Sequence, residues 1–288
     1  MIGIVSDSTC DLSPELVKRY QITVLPLHVL LGTEEYLDGK NINPDDIYRW
    51  ADENKATPKT SAVSMEDAAE CFKEVLKTCD GIVAFSISGS MSTTNNVMRL
   101  AAEEIGAEDR IRVIDSMNLS TGVGHLVIEA AELAQSGAGL DEIEKKILEY
   151  RPKVRASFVI DTLVYLHRGG RCSGMAALAG GMLKLHPKIV VKDGAMLVDK
   201  KYRGKLGPVT LNYTKDMQEA LLHAKKDRVF ITHSGTAPEI VEEVRGFLES
   251  LNHFDEILET RAGSVVSSHC GPGTLGVLFI DSAQNSAL

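Results

Sequence analysis

The residues able to do chemistry in this chain gather in a few short stretches. His269 stands in Val266-Ser-Ser-His-Cys-Gly-Pro-Gly273, read as a strand end that enters a Gly-Pro-Gly turn. An imidazole there either holds the turn by a hydrogen bond or meets a ligand. Cys270 beside it has the type of a nucleophile. No partner group is placed for it by spacing, and an inert buried thiol is the plainer reading. Hydroxyl side chains cluster in Ser6-Asp-Ser-Thr9, in Pro58-Lys-Thr-Ser61, in the Ser86–Asn96 segment and in Asp115-Ser-Met-Asn118. Each suits turn and helix-cap duty. Together, at the ends of predicted strands, they also suit an anion site built from hydroxyls and helix N-terminal amides, for a carboxylate or a phosphate.

Other stretches carry weaker signals. Leu166-His-Arg-Gly-Gly-Arg171 ends a short predicted helix with two glycines, and Arg171 just beyond could meet an anion or simply face solvent. Gly174–Leu183 is rich in small and apolar residues, which gives either a thin helix beside a cavity or close core packing. Lys192, Lys200, Lys201, Arg203 and Lys205 form a local basic cluster, either a solvated hairpin or a docking point. No nucleophile-elbow or phosphate-loop motif occurs. Gly122-Val-Gly124 imitates a dinucleotide loop, but Val127 replaces the third glycine and the pair lies inside a helical pattern. The eight histidines show no metal-ligand spacing, so no metal and no cofactor is expected.

The elements that must position these residues follow from periodicity. Strands are predicted at Ile2–Val5, Ile22–Leu31, Gly81–Phe85 and Ile111–Ile114. Helices are predicted at 12–20, 43–54, 65–78, 92–105, 119–135 and 140–149. This alternation predicts parallel pairing with right-handed crossovers. A domain boundary is placed near Pro152, giving an α/β domain over 1–152 and an α+β domain over 153–288. The second half reads as strands at Arg155–Ile160, His186–Val191, Ala195–Asp199, Arg228–Thr232, Phe254–Ala262, Ser264–Ser268 and Leu275–Ile280. Helices fall at Thr214–Ala224 and Pro238–Leu251, with a hairpin turn at Lys192-Asp-Gly194. In an open parallel sheet a ligand sits at the carboxyl ends of the strands, where the hydroxyl clusters fall.

Composition narrows the function. The 288 residues are 44% hydrophobic and 25% charged, in the ordinary globular range. The net charge of −9 argues against a nucleic-acid footprint and against charge-driven binding to anionic lipid surfaces. Aromatics are only 5%, which is too few for base-stacking platforms. Five scattered cysteines without a C-x-x-C pair argue against a disulfide framework and predict a reducing, cytoplasmic setting. No apolar run is long enough to span a membrane, and Met1–Asp11 reads as an opening strand, not a signal peptide.

Six motifs in order resemble the DegV family of bacterial fatty-acid-binding proteins, over about residues 1–281. They are Val5-Ser-Asp-Ser-Thr9, Pro58-Lys-Thr-Ser61, Ile87-Ser-Gly89, Asp115-Ser116, Leu166-x-Arg-Gly-Gly-Arg171-x-Ser173 and His269-x-Gly-Pro-Gly273. The resemblance implies an α/β fold with a parallel-sheet N-terminal domain and a second α+β domain, with the ligand clamped between them. It implies one long-chain fatty acid of palmitate, stearate or oleate type, its tail in an apolar tunnel. The carboxylate would lie at Ser61 and Ser88, with Thr60, His269 and Arg171 nearby. It also implies a carrier, not an enzyme, that presents the acid to a separate fatty acid kinase for acyl-phosphate formation and phospholipid synthesis. The chain departs from the family at Thr60-Ser-Ala-Val-Ser64, where Thr-Ser-Gln-Pro-Ser is usual, and at Ile87-Ser-Gly-Ser-Met91, where Leu-Ser-Gly-Thr-Tyr is usual. Two other readings compete: a hydrolase or acyl transferase using Ser88 or Cys270 with His269, and a small-anion binding module.

Overall fold

The computed structural model describes residues 1–173 and 185–282. The Gly174–Leu183 stretch singled out above lies outside them. The chain opens with β1 (Ile2–Asp7), a 3-10 turn at Ser8–Cys10, α1 (Pro14–Arg19) and β2 (Ile22–Leu25). Then come β3 (His28–Leu31), β4 (Glu34–Leu37), α2 (Pro44–Asn54), β5 (Lys59–Ser61) and α3 (Met65–Val75). β6 (Gly81–Ser86), α4 (Thr94–Glu104), β7 (Ile111–Asp115), α5 (Thr121–Gln135) and α6 (Leu140–Tyr150) complete the first half. Local chemistry starts the helices. Asn43 and Asp46 form a capping box ahead of Pro44, and Ser64 accepts from Asp67 N at the start of α3.

Four strands pair in parallel in the order β2-β1-β6-β7, the sheet that the alternating pattern predicts. The long strand expected at Ile22–Leu31 is two strands in two sheets. Pro26, which has no N–H to give a ladder, stands at the break. β3 instead joins β4 and β5 in an antiparallel sheet of order β4-β3-β5. The sequence reading missed β4 and β5. β4 is Glu-Glu-Tyr-Leu and β5 is three residues long, so neither shows a hydrophobic alternation.

The second half contains β8 (Val154–Val159), α7 (Leu163–Gly169), β9 (Cys172–Ser173), β10 (Leu185–Lys192), β11 (Ala195–Arg203), α8 (Leu206–Asp216) and α9 (Gln218–Leu222). It closes with β12 (Arg228–His233), α10 (Pro238–Ser250), β13 (Glu256–Arg261), α11 (Ser264–Cys270) and β14 (Leu275–Ile280). The sheet order is β13-β12-β14-β8-β10-β11-β9, parallel at β12–β13 and β11–β9 and antiparallel elsewhere. The helix expected at Thr214–Ala224 begins earlier, at Leu206, and is broken between α8 and α9.

Ser264–Ser268, expected as a strand, is the body of α11. Two valines in a short apolar run look like a strand. The tertiary structure overrides them by capping the helix from a distance. Asp11 Oδ1 accepts from Gly263 N at 2.8 Å, and Asp38 Oδ1 accepts from Ser264 N at 2.7 Å. His269 therefore sits in the last turn of a helix, not at a strand end.

One helix joins the two larger sheets. α5 packs on β1 and β6 and also on β8 and β14. Its Thr121–Ala131 stretch is buried. Leu126 and Ile128 share one core cluster with Ile4, Phe85, Phe230 and Leu278. Gly122 and Gly124 serve this packing, not a dinucleotide. A side chain on Gly122 would meet Asn118 Oδ1 at 2.1 Å, and one on Gly124 would meet the Cys10 carbonyl at 2.9 Å.

Candidate functional site

A cavity of about 440 Å³ lies where several of these elements meet. That is within the range of about 300–1,000 Å³ usual for small-molecule sites. β5 supplies Thr60 and Ser61. The loop from β6 to α4 supplies Ile87 and the Gly89–Thr93 run. Leu119 precedes α5, Arg171 follows α7 and Met196 lies on β11. α11 gives Val265, Val266, His269 and Cys270, and Leu27 comes from the β2–β3 link. Leucine, isoleucine, valine and methionine thus form the wall. Hydroxyls and one guanidinium add the polar groups.

The geometry around His269 is specific. Its Nε2 shares a 2.8 Å hydrogen bond with Thr60 Oγ1. Among the described residues, its buried Nδ1 has no partner. Burial pushes its pKa down to about 4, and the charge of Arg171 acts the same way, so the ring is neutral at pH 7. Gly169 explains part of the Gly-Gly-Arg stretch, because a side chain there would stand 2.5 Å from His269 Nδ1. Gly170 ends α7 in the left-handed region at φ +67°, the ordinary glycine C-cap. Arg171 Nη1 donates to the Gly169 carbonyl, and the residue is exposed.

Two of the four hydroxyl clusters line the cavity, those at Thr60–Ser61 and at 86–96. The other two support it from behind. Asp7 Oδ2 accepts from Ile87 N at 2.7 Å, and Thr9 donates to Asp7 Oδ1. Asp115 accepts from Gly89 N and Met117 N. Thr60, Ser61, Arg171 and His269 are thus brought to one cavity. Ser88 is different: it is 1% exposed, and its hydroxyl donates to the Gly194 carbonyl at 2.7 Å.

Cys270 lines the cavity, but burial pushes its thiol up to about 12. Neither Ser88 nor Cys270 is hydrogen-bonded to His269, whose Nε2 is taken by Thr60. Neither Ser88 nor Cys270 is thus paired with His269 as a nucleophile is with its base. Asp11 and Asp38 were missed as site-supporting residues. Asp11 carries only a local cap signal, and Asp38 sits in an Asp-Gly turn. Nothing local in either stretch points 226 residues along the chain, from Asp38 to Ser264.

Elsewhere, the basic cluster is partly neutralised: Lys200 pairs with Asp216 at 2.6 Å. Among the described residues, Glu129, Glu132 and Asp227 could gather around an ion, but Lys225 and Arg228 already bond them. No helix among the described residues is long and apolar enough to cross a membrane.

Fold and cavity together define a mixed α/β protein with an apolar pocket and a hydroxyl-rich polar end. The profile of the DegV family of uncharacterised proteins matches residues 1–282, and the chain belongs to that family. A DegV domain-containing protein of Caldanaerobacter subterraneus is 31% identical over 287 residues, with 96% of this chain and 98% of that one covered. Among solved structures, a fatty-acid-binding DegV family protein from Thermus thermophilus superposes with a TM-score of 0.89 at 32% identity, covering 97% of this chain and 99% of that one. A stearic-acid-binding protein from Eubacterium ventriosum gives 0.84 at 29% identity, covering 98% of both chains.

Proposed function

We propose that this protein binds one long-chain fatty acid of palmitate, stearate or oleate type in the 440 Å³ cavity. The observation that carries the reading is the cavity's division into an apolar wall and a polar end. The wall takes the tail. Each buried CH₂ contributes about 0.8 kcal/mol, so a long tail supplies most of the affinity. Thr60, Ser61, His269 and Arg171 form the head-group end, and Ser88, expected there, lies buried just behind it with its hydroxyl donated to the Gly194 carbonyl. Hydroxyls and a neutral imidazole orient a carboxylate without the desolvation cost of a buried ion pair. The acid lies between the 1–152 and 153–288 parts of the chain. Two fatty-acid-binding relatives of the same fold support the assignment.

The role is that of a carrier without turnover of its own. The raised Cys270 thiol and the pairing of His269 with Thr60 speak against the hydrolase alternative. The exposed Arg171 keeps the head-group end near the surface, where a cytoplasmic fatty acid kinase could phosphorylate the carboxylate on the way to phospholipid. Titration of delipidated protein with oleate tests the assignment. Saturation at about one equivalent is expected, and Ser61→Ala and His269→Ala should each weaken binding about tenfold, as loss of a hydrogen bond to a charged group does. Affinities unchanged in both variants would contradict the head-group placement.

A further inference from the structure

Among the described residues that line the cavity, three carry sulfur: Met91 from the β6–α4 loop, Met196 from β11 and Cys270 from α11. They share one apolar cluster with Ile87, Leu119 and Val266. The two methionines are only 8% and 4% exposed. An oxidant dissolved in bulk water reaches such side chains poorly, whereas a molecule held in the cavity lies against them.

Burial acts differently on the two kinds of sulfur. A thiol attacks a peroxide as its thiolate, and burial pushes Cys270 up to about 12, which silences it. A thioether has no proton to lose, and its sulfur attacks a peroxide oxygen in the neutral form. Burial therefore leaves Met91 and Met196 reactive toward any peroxide that reaches them. Holding the oxidant beside the sulfur also raises its effective concentration. The apolar wall selects which peroxide that is, because only a long apolar tail gains from being buried there.

We propose that Met91 and Met196 are oxidation sites addressed by a long-chain fatty acid hydroperoxide bound in the cavity, and that their oxidation lowers the affinity for a fatty acid tail. This rests on the fatty-acid reading of the same cavity. In the step, the thioether sulfur attacks the outer peroxide oxygen. An S–O bond forms, the O–O bond breaks, and the proton of the outer oxygen moves to the inner one. The thioether is oxidised to a sulfoxide, and the hydroperoxide is reduced to an alcohol. The sulfoxide makes an apolar wall residue polar, and a bound tail then covers it without a hydrogen bond.

Delipidated protein treated with linoleic acid hydroperoxide or with hydrogen peroxide tests this, with peptide mapping to read the order of methionine oxidation. Exposed Met1 and Met65 and the core residues Met98 and Met217 are the references. Hydrogen peroxide should take Met1 and Met65 first. The lipid hydroperoxide should take Met91 and Met196 first, and excess oleate should protect those two alone. Oleate affinity should then fall about tenfold, as covering an unpaired polar group does. In a Met91→Leu, Met196→Leu double variant, oleate affinity should be the same before and after the treatment. A lipid hydroperoxide that takes Met1 and Met65 first would overturn the proposal, as would oxidised protein that binds oleate as well as before. Untreated protein that binds no oleate would bring down the fatty-acid reading beneath it, which tells the two failures apart.

Discussion

Cys270 shows how burial decides a residue's chemistry. Its neighbour His269 and its place on the cavity make it look reactive in the sequence. The folded chain pushes its thiol up to about 12, and the neighbouring imidazole bonds Thr60 instead. Alkylation by iodoacetamide at pH 8 should therefore modify the half-buried Cys79 well before Cys270, which should react only on unfolding. Peptide mapping after partial labelling reads the order, and early labelling of Cys270 would return the nucleophile reading to the field. Residue types at this scale were legible. Thr60, Ser61, Arg171 and His269 all reach the cavity. What could not be read was which way a hydroxyl points. Ser88 and Ser90 are two residues apart and both donate to the Gly194 carbonyl, yet Ser88 is buried and Ser90 is exposed on the cavity.

At the scale of the element, α11 is held by groups from far away in the chain. Asp11 and Asp38 take its first amides, and Ser120 and Ser8 donate to the same two carboxylates. Burial raises the Asp11 pKa from 3.8 to about 8 and pushes Asp38 up as well. A carboxyl whose folded pKa is raised stabilises the fold while protonated, and that contribution is lost as pH rises through its folded value. His125 and His269, both lowered to about 4, oppose this only up to the unfolded histidine value near 6.5. Asp7, near 6, has finished titrating by then. Between pH 6.5 and 8 the balance is set by Asp11. Stability should fall across that window by up to about 2 kcal/mol from Asp11. Asp11→Asn should remove much of the fall. Urea midpoints at the two ends of the window measure it, and wild-type stability that holds level or rises would contradict the account. The same long-range capping explains the misread strand. Valine-rich α11 has a weak local helix signal, and its caps lie more than two hundred residues upstream.

For the whole molecule, the parallel sheet was legible because helices separate its strands along the chain, α1 between β1 and β2 and α4 between β6 and β7. The β3–β4–β5 sheet was not, since Pro26 hides a change of sheet inside one apolar run and the added strands are short and polar. The joining role of α5 was also invisible: its buried Thr121–Ala131 stretch shows that it is covered, but not that two different sheets cover it. This architecture brings β5, the β6–α4 loop, β11 and α11 around one cavity, the one proposed to hold a fatty acid. Native mass spectrometry of the freshly purified protein, followed by lipid extraction, would show whether the cavity is filled. A mass excess of about one fatty acid per chain is expected, and it should extract as a palmitate-, stearate- or oleate-type acid. A bare chain that stays bare after incubation with oleate and palmitate would contradict it.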